Sequence, residues 1–460
     1  MKRIITGFMA VLLSASFAFA GGIENKTNMR TGYLRNPSRN VEASRPEASF
    51  YNIAGTAFME DGLHIEVGNQ FIFKEYANTL NSDAFSTYGI KDGTKYNDET
   101  IVWLYPNVDI VYKWNNFAFF GNFGIYAGGG KLEYSEGTSV TSLAFLDQAS
   151  VYSSQAATAA AAAQQYATAG DSANAAKYQA AAEQAGSVAQ ALLSAAGDHS
   201  LTINSITYGE QIGLAYNLFD IVSLSAAIRF LEGDQKLTLE SSYFNSISGE
   251  GNEVSCKSFA FGVSPVFGAH VRLFDEKLDI ATQLQVKTIM KYSVNEVTGK
   301  TIAAGIEIDD DTTFHSDIPT VLNVGVGYRV IEPLYLSSSF NYYFNKSADC
   351  NSVISTNSYD DSFEIALGAD YTINDYVLVS AGLAYGKQGT TDSSNNVFNP
   401  ILDSFQIGFG AEIKPVKILT ITAGGTWVNY FNTDYYLNNY DIELSKKLFM
   451  MALSATVKLF

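Results

Sequence analysis

Residues Phe405–Ile413 read FQIGFGAEI, and this alternation decides the fold. Phe405, Ile407, Phe409, Ala411 and Ile413 share one face of an extended chain, while Gln406, Gly408, Gly410 and Glu412 share the other. The next segment, Leu419–Val428 (LTITAGGTWV), sets Leu419, Ile421, Ala423 and Trp427 against Thr420, Thr422 and Thr426. Upstream, Leu278, Ile280, Leu284, Val286 and Met290 oppose Asp279, Gln283, Gln285 and Lys287. A soluble sandwich also alternates, but its strands are usually shorter and its outer faces carry more charge.

Composition separates these readings. The chain holds 30 Phe, 28 Tyr and 37 Gly in 460 residues. Beyond its first twenty residues it has no apolar run long enough for a membrane-spanning helix. Such a chain enters lipid only as a closed barrel, because hydrocarbon cannot satisfy an open sheet edge. The expected fold is all-β: a transmembrane antiparallel β-barrel of fourteen strands between Leu63 and Phe460, apolar face outward and polar face inward. Tight joins at Trp114-Asn115-Asn116, Phe219-Asp220, Asp275-Glu276, Ile331, Asn374-Asp375 and Lys414-Pro415 alternate with longer polar gaps. That rhythm fits short periplasmic turns and long external loops, and an even strand count leaves both ends on the periplasmic side.

At the N-terminus, Lys2 and Arg3 precede an apolar run from Ile4 to Phe17, which closes on Ala18-Phe19-Ala20. This is the pattern of an export signal, since a run of that length is short for a membrane anchor. The expected division is a signal over residues 1–20, an N-terminal arm over 21–62 and the barrel over 63–460. One external loop, residues 143–197, is alanine-rich. It reads as a helical hairpin interrupted or capped at Asp171-Ser172, or as an irregular insertion.

A formal net charge of −18, with no basic stripe, argues against nucleic acid as a partner. Cys256 and Cys350 are too few for a disulfide framework, and whether they pair stays open. His64, His199, His270 and His315 are scattered without metal-ligand spacing. No nucleophile is marked beside a base, and Gly128-Gly129-Gly130 lacks the Lys-Ser or Lys-Thr of a phosphate loop. The reading is of a protein that is not an enzyme and needs no metal or cofactor.

The stretch Ala48-Ser49-Phe50-Tyr51-Asn52-Ile53-Ala54-Gly55, followed by Ala57–His64, resembles the outer-membrane long-chain fatty acid transporter family, which includes toluene and xylene uptake channels. Members typically carry Asn-Pro-Ala-Gly here; Asn52, Ala54 and Gly55 match, and Ile53 replaces the proline. Asp317-Ile318-Pro319 through Gly325-Val326-Gly327-Tyr328-Arg329 resembles the family's proline-initiated strand, with inexact glycine spacing. The resemblance implies an outer-membrane barrel whose arm folds inside as a hatch, here with Arg35, Arg39, Asn52, Ile53, Ala54 and Gly55. It also implies lateral release of substrate at a kink in the third strand, where Gly121, Gly124, Gly128, Gly129 and Gly130 lie.

The expected function is diffusion-driven uptake of long-chain fatty acids or other hydrophobic small molecules, with outer-membrane lipid as the surrounding partner and the protein acting as a monomer. Alternation turns Arg229 inward with Ser225 and Ala227, and Lys287 inward with Gln283 and Gln285. Either residue receives a substrate headgroup or balances the acidic lumen. A general porin and a surface-binding barrel are the alternatives.

Overall fold

The computed structural model describes residues 29–83, 86, 90–248, 251–299, 312–350, 359–391, 394–437 and 440–460. The expected export signal and the first residues of the arm lie outside them.

Fourteen antiparallel strands form one closed sheet. They are β1 (Gly62–Asn81), β2 (Thr94–Asp98 with Ile101–Trp114), β3 (Phe117–Tyr134), β4 (His199–Leu218), β5 (Val222–Ser241), β6 (Glu253–Leu273) and β7 (Leu278–Gln285 with Lys291–Thr298). The remainder are β8 (Thr313–His315 with Thr320–Ile331), β9 (Leu334–Phe344), β10 (Ser362–Asn374), β11 (Val377–Lys387), β12 (Ser404–Val416), β13 (Leu419–Tyr430 with Thr433–Leu437) and β14 (Tyr440–Leu459). Closure comes from β1 pairing with β14, from Leu63↔Leu459 to Asn81↔Asp441. No described helix is long and apolar enough to cross a membrane.

The alternation read from the sequence is the observed in–out pattern. Ile407, Phe409, Ile413, Ile421 and Trp427 are exposed on the outer wall, whereas Gln406, Glu412, Thr420, Thr422 and Thr426 are buried inside. The short connections turn tightly because their central residues adopt the left-handed region, as at Phe219 and Asp220, φ 58° and 57°. Asn115, Asp275 and Glu276 do the same. Between β12 and β13 the last pair is Val416↔Leu419, so the turn falls at Lys417-Ile418 rather than Lys414-Pro415. A register shift after Ile413 carries the ladder past Pro415.

The seventh strand departs from expectation. The alternation read from Leu278 to Met290 does not run unbroken, because the ladder stops at Gln285 and resumes at Lys291. Lys287 therefore loses the parity of Gln283 and Gln285. Its ammonium reaches the Ser347 carbonyl (3.0 Å) and Asp317 (3.5 Å).

The alanine-rich loop is a helical hairpin, Ser139–Thr168 and Ser172–Ala195. It starts earlier than the alanine content indicates, because Thr138 and Thr141 form a reciprocal cap. Asp171 caps the second helix, accepting from the Asn174 N–H at 3.1 Å. The 30-residue first helix spans about 45 Å. Its base, through Val140, Leu143, Phe145 and Leu146, packs on Tyr76, Leu80, Tyr134, Leu201, Leu237 and Ile442 at the long-loop end of the barrel.

Cys256 and Cys350 are not joined to each other in a disulfide. Burial pushes the Cys350 thiol, in the loop after β9, up to about 12. At pH 8 its thiolate fraction is then on the order of one part in ten thousand. Alkylation of the folded protein at pH 8 is expected to spare Cys350 until denaturant is added, as read by mass spectrometry. Rapid labelling of native Cys350 would show that its loop packs differently.

Candidate functional site

The N-terminal region carries two short helices, α1 (Thr31–Arg35) and α2 (Ala48–Tyr51), and a 3-10 turn at Gly55–Phe58. Too short to hold together alone, these pieces are fixed by contacts with inward-facing groups around the wall. Arg30 bonds Asp109 on β2 through Nε at 2.9 Å. The Ser49 carbonyl accepts from Asn122 on β3 (2.7 Å) and Gln211 on β4 (2.8 Å). On the far side, Arg35 pairs with Asp370 on β10 (2.8 Å) and Glu412 on β12 (2.7 Å), and Arg45 Nε donates to Glu412 at 3.0 Å. Arg39 is held by Glu42 and Glu47 of the same region.

The Asn52–Gly55 segment is a junction rather than a plain turn. Asn52 Oδ1 accepts from the Gly55 N–H (3.2 Å), while Nδ2 donates to the Glu42 carbonyl (3.0 Å) and to His270 Nδ1 (2.9 Å). His270 Nε2 in turn donates to Asp279 at 2.8 Å, which links this segment to β6 and β7. Ile53 and Ala54 are fully buried, and the Ile53 N–H donates to Gln283 at 3.0 Å. Gly55 has no positive φ; its constraint is close approach, since a Cβ there would collide with the Glu42 carbonyl and the Asn52 amide.

The wall opens between β2 and β3. Their ladder runs from Trp114↔Phe117 to Asn107↔Gly124, and no described pair continues it. On its other edge β2 stays paired with β1 up to Phe73↔Ile101. β3 shifts register against β4 twice between Ile125 and Gly130. Gly128 and Gly130 have φ of +84° and +75°, a backbone that side chains disfavour. At Gly124 an added Cβ would press on Arg30, whereas Gly121 meets only ordinary contacts. Gly129 lies between the two strained positions. Above the opening the strands are tied again, by the Glu133 N–H on Asp98 (2.7 Å) and Thr100 on the Lys131 carbonyl (2.8 Å).

Behind this opening lies an apolar cluster of Met29, Tyr33, Phe50, Tyr51, Ile72, Tyr105 and Ile125, with Val102 and Tyr126 against it. Tyr430 packs on this cluster and on the one beneath the helical hairpin, so apolar side chains continue from the long-loop end to the opening. At the edge sits Arg229, fully buried on the same inner face as Ser225 and Ala227. Its guanidinium donates to Tyr126 (2.6 Å), Gln285 (2.6 Å), Thr288 (2.9 Å) and the Val286 carbonyl (3.3 Å). Its Nε lacks a protein partner, and none of these four acceptors is a carboxylate. Lys287 does not join it.

Sequence reading missed Asp109, Asp370 and Glu412 as partners of the arm, and His270 and Tyr126 as polar contacts. The available signal was a lone carboxylate on the polar face of an apolar strand, as in the GAEI of β12. No described group of His, Cys, Asp and Glu is arranged to hold a metal ion.

These features define a class: an outer-membrane β-barrel whose N-terminal region bonds to its inner wall and whose wall parts between two strands. Residues 277–457 match the model of the outer membrane protein transport protein family (OMPP1/FadL/TodX). The fold is shared with a Pseudomonas aeruginosa FadL homologue, at TM-score 0.63 and 15% identity over 95% of this chain and 100% of that one. It is shared with the P. putida toluene transporter TodX (TM-score 0.59, 12% identity, 95% and 99% covered) and the Ralstonia pickettii toluene transporter TbuX (0.55, 11%, 96% and 99%). No curated protein matches the chain. The family that matches residues 277–457 is described as one of outer-membrane transport proteins, and the outer membrane is the location these likenesses support.

Removing one partner of a buried ion pair leaves the other charge uncompensated, at a cost of roughly 3 kcal/mol. Glu412→Ala takes the bonded carboxylate from Arg45 and leaves Arg35 with Asp370 alone, and is expected to lower the urea midpoint of the detergent-solubilised barrel well below that of a surface control such as Lys177→Ala. An unchanged midpoint would mean that this cluster does not hold the N-terminal region.

Proposed function

We propose that this protein conducts hydrophobic small molecules across the outer membrane by diffusion, releasing them sideways into the lipid between β2 and β3. The observation that carries this reading is the loss of ladder pairing beyond Asn107↔Gly124, directly beside an apolar cluster. An apolar solute needs a continuous apolar lining and few polar contacts, and the side chains from beneath the hairpin to Tyr105 and Ile125 supply that lining. The region around residues 21–62 acts as the hatch, with Arg35 and Arg39 anchoring it and Asn52, Ile53, Ala54 and Gly55 setting its turn. Long-chain fatty acids or aromatic hydrocarbons are the substrate class. Arg229, whose guanidinium has no carboxylate among its bonded partners, receives the polar end of an amphipathic substrate; Lys287, bonded elsewhere, plays a lesser part. The protein works as a monomer. A general porin fits less well, because buried arm side chains bond across the interior to β10 and β12.

The test is transfer of labelled fatty acid or toluene into liposomes containing the purified protein, alongside ion conductance. Transfer with low conductance is expected, and large steady currents without transfer would favour a porin. Asn52→Ala and Gly55→Ala are expected to cut transfer at least fivefold in correctly inserted, heat-modifiable barrels. Gly128→Val should do the same by straightening β3. Full transfer in all three variants would overturn the hatch and the opening alike.

A further inference from the structure

The wall has a second interruption. β6 pairs with β7 down from Val266↔Gln285, and again from Phe259↔Ser293, but Ala260–Pro265 has no ladder partner on that side. One residue of the interval, Pro265, cannot donate at all. The facing segment of β7 has turned inward and bonds elsewhere. Thr288 exchanges both backbone bonds with Ile318 (3.0 Å each), and the Met290 N–H donates to Asp317 at 3.0 Å. One backbone bond remains across the gap, the Val286 N–H to the Pro265 carbonyl at 3.1 Å.

Register places this interruption in the same row of paired residues as the first. Gly124, the last residue of β3 paired with β2, aligns with Gly209 on β4, Leu231 on β5 and Gly262 on β6. Gly262 is the residue behind which β7 tucks: a Cβ there would meet the Ile289 carbonyl and Thr288 Cγ2 at 2.6 Å. Strands β3–β6 thus form a panel that loses its ladder on both edges along one row of paired residues. Arg229 touches both, through Tyr126 on β3 and through Gln285, Val286 and Thr288 on β7. Inside the second interruption lies a separate apolar cluster, Leu231, Ala260, Met290, Tyr292, Val294 and Phe314, against which Tyr126 also packs. Tyr126 therefore joins it to the cluster behind the first opening. Outside, Phe261, Val263 and Ile289 face lipid, with Ile289 57% exposed.

We propose that the parting of β6 and β7 at Ala260–Pro265 and Val286–Met290 is a second lateral site for hydrophobic small molecules, reached from the first through Tyr126 and braced by Arg229. The proposal rests on the uptake reading above. Its occupant is the same solute, because the site is continuous with the apolar lining and is bordered by Phe and Ile rather than by charge. Unpaired backbone at membrane depth is tolerated only where it is buried in protein or lines a cavity, and the apolar cluster behind Ala260–Pro265 makes an apolar solute the occupant that fits.

Photolabelling of the full-length protein in outer-membrane vesicles, with an aliphatic diazirine probe, tests this directly. Adducts are expected within Ala260–Pro265 and Val286–Met290 as well as Ile125–Gly130, all reduced by excess unlabelled toluene or fatty acid. Adducts at Ile125–Gly130 alone would overturn the second site while leaving uptake intact; adducts at neither place would defeat both. A second measurement uses Val263→Cys/Ile289→Cys in a Cys256→Ser/Cys350→Ser background, joined by a short bifunctional thiol reagent, with the unjoined protein as control. Joining is expected to slow transfer about twofold, and further when Gly128→Val is also present. Equal transfer before and after joining in both backgrounds would reject the second site.

Discussion

A backbone N–H or C=O in hydrocarbon has no partner but a neighbouring strand, and the architecture follows from that constraint. It makes the chain close β1 onto β14, and it makes each departure from pairing informative. Where the ladder falters, a side chain takes the vacant role. Asn69, a polar residue on the outer parity of β1, accepts from the Tyr105 N–H (2.8 Å) and donates to the Trp103 carbonyl (3.0 Å) beside a register shift. Tyr105 reaches across the first opening to the Ile125 carbonyl at 3.4 Å, and Arg229 takes up the Val286 carbonyl at the second. These substitutions let the wall part without leaving the freed groups empty-handed.

The N-terminal region depends on the same enclosure. Its arginines would gain little from carboxylates in water, where exposed pairs contribute about 0–1 kcal/mol. Ringed by the wall, Arg30, Arg35 and Asp109 are nearly or fully buried, and each charge must be matched. The match is distributed: β2 supplies Asp109, β10 supplies Asp370 and β12 supplies Glu412. Charge thus fixes the arm from opposite sides, while apolar contacts of Ile53, Ala57 and Met59 with Val111, Phe120 and Ala227 fix its short-turn end. The long-loop end is closed by other means, with the base of the helical hairpin seated on aliphatic and aromatic residues of several strands.

Much of this was legible in the residues. A period of two needs no tertiary information to assign faces, so the barrel, its fourteen strands and the outward set Ile407, Phe409 and Ile413 follow from the chain itself. The helical hairpin follows from alanine content and the capping chemistry of Asp171. The family signature from Ala48 to Gly55 pointed to the segment that bonds the inner wall, and the glycines of β3 pointed to the place where the strand bends. The turn residues with positive φ, Asn115 and Asp220 among them, were likewise visible as polar breaks between apolar runs.

What the sequence could not decide is what depends on partners hundreds of positions away. Parity carried Lys287 inward until a break at Gln285, caused by bonds between Thr288 and Ile318, cancelled it. Gly55 is constrained by the Glu42 carbonyl folded against it rather than by its own φ. Arg229 was placed on the inner face by its neighbours, but its four acceptors come from β3 and β7. Local alternation determines which way a side chain points. Only the closed sheet decides what it meets there, because the register of distant strands sets which residues come to lie opposite one another.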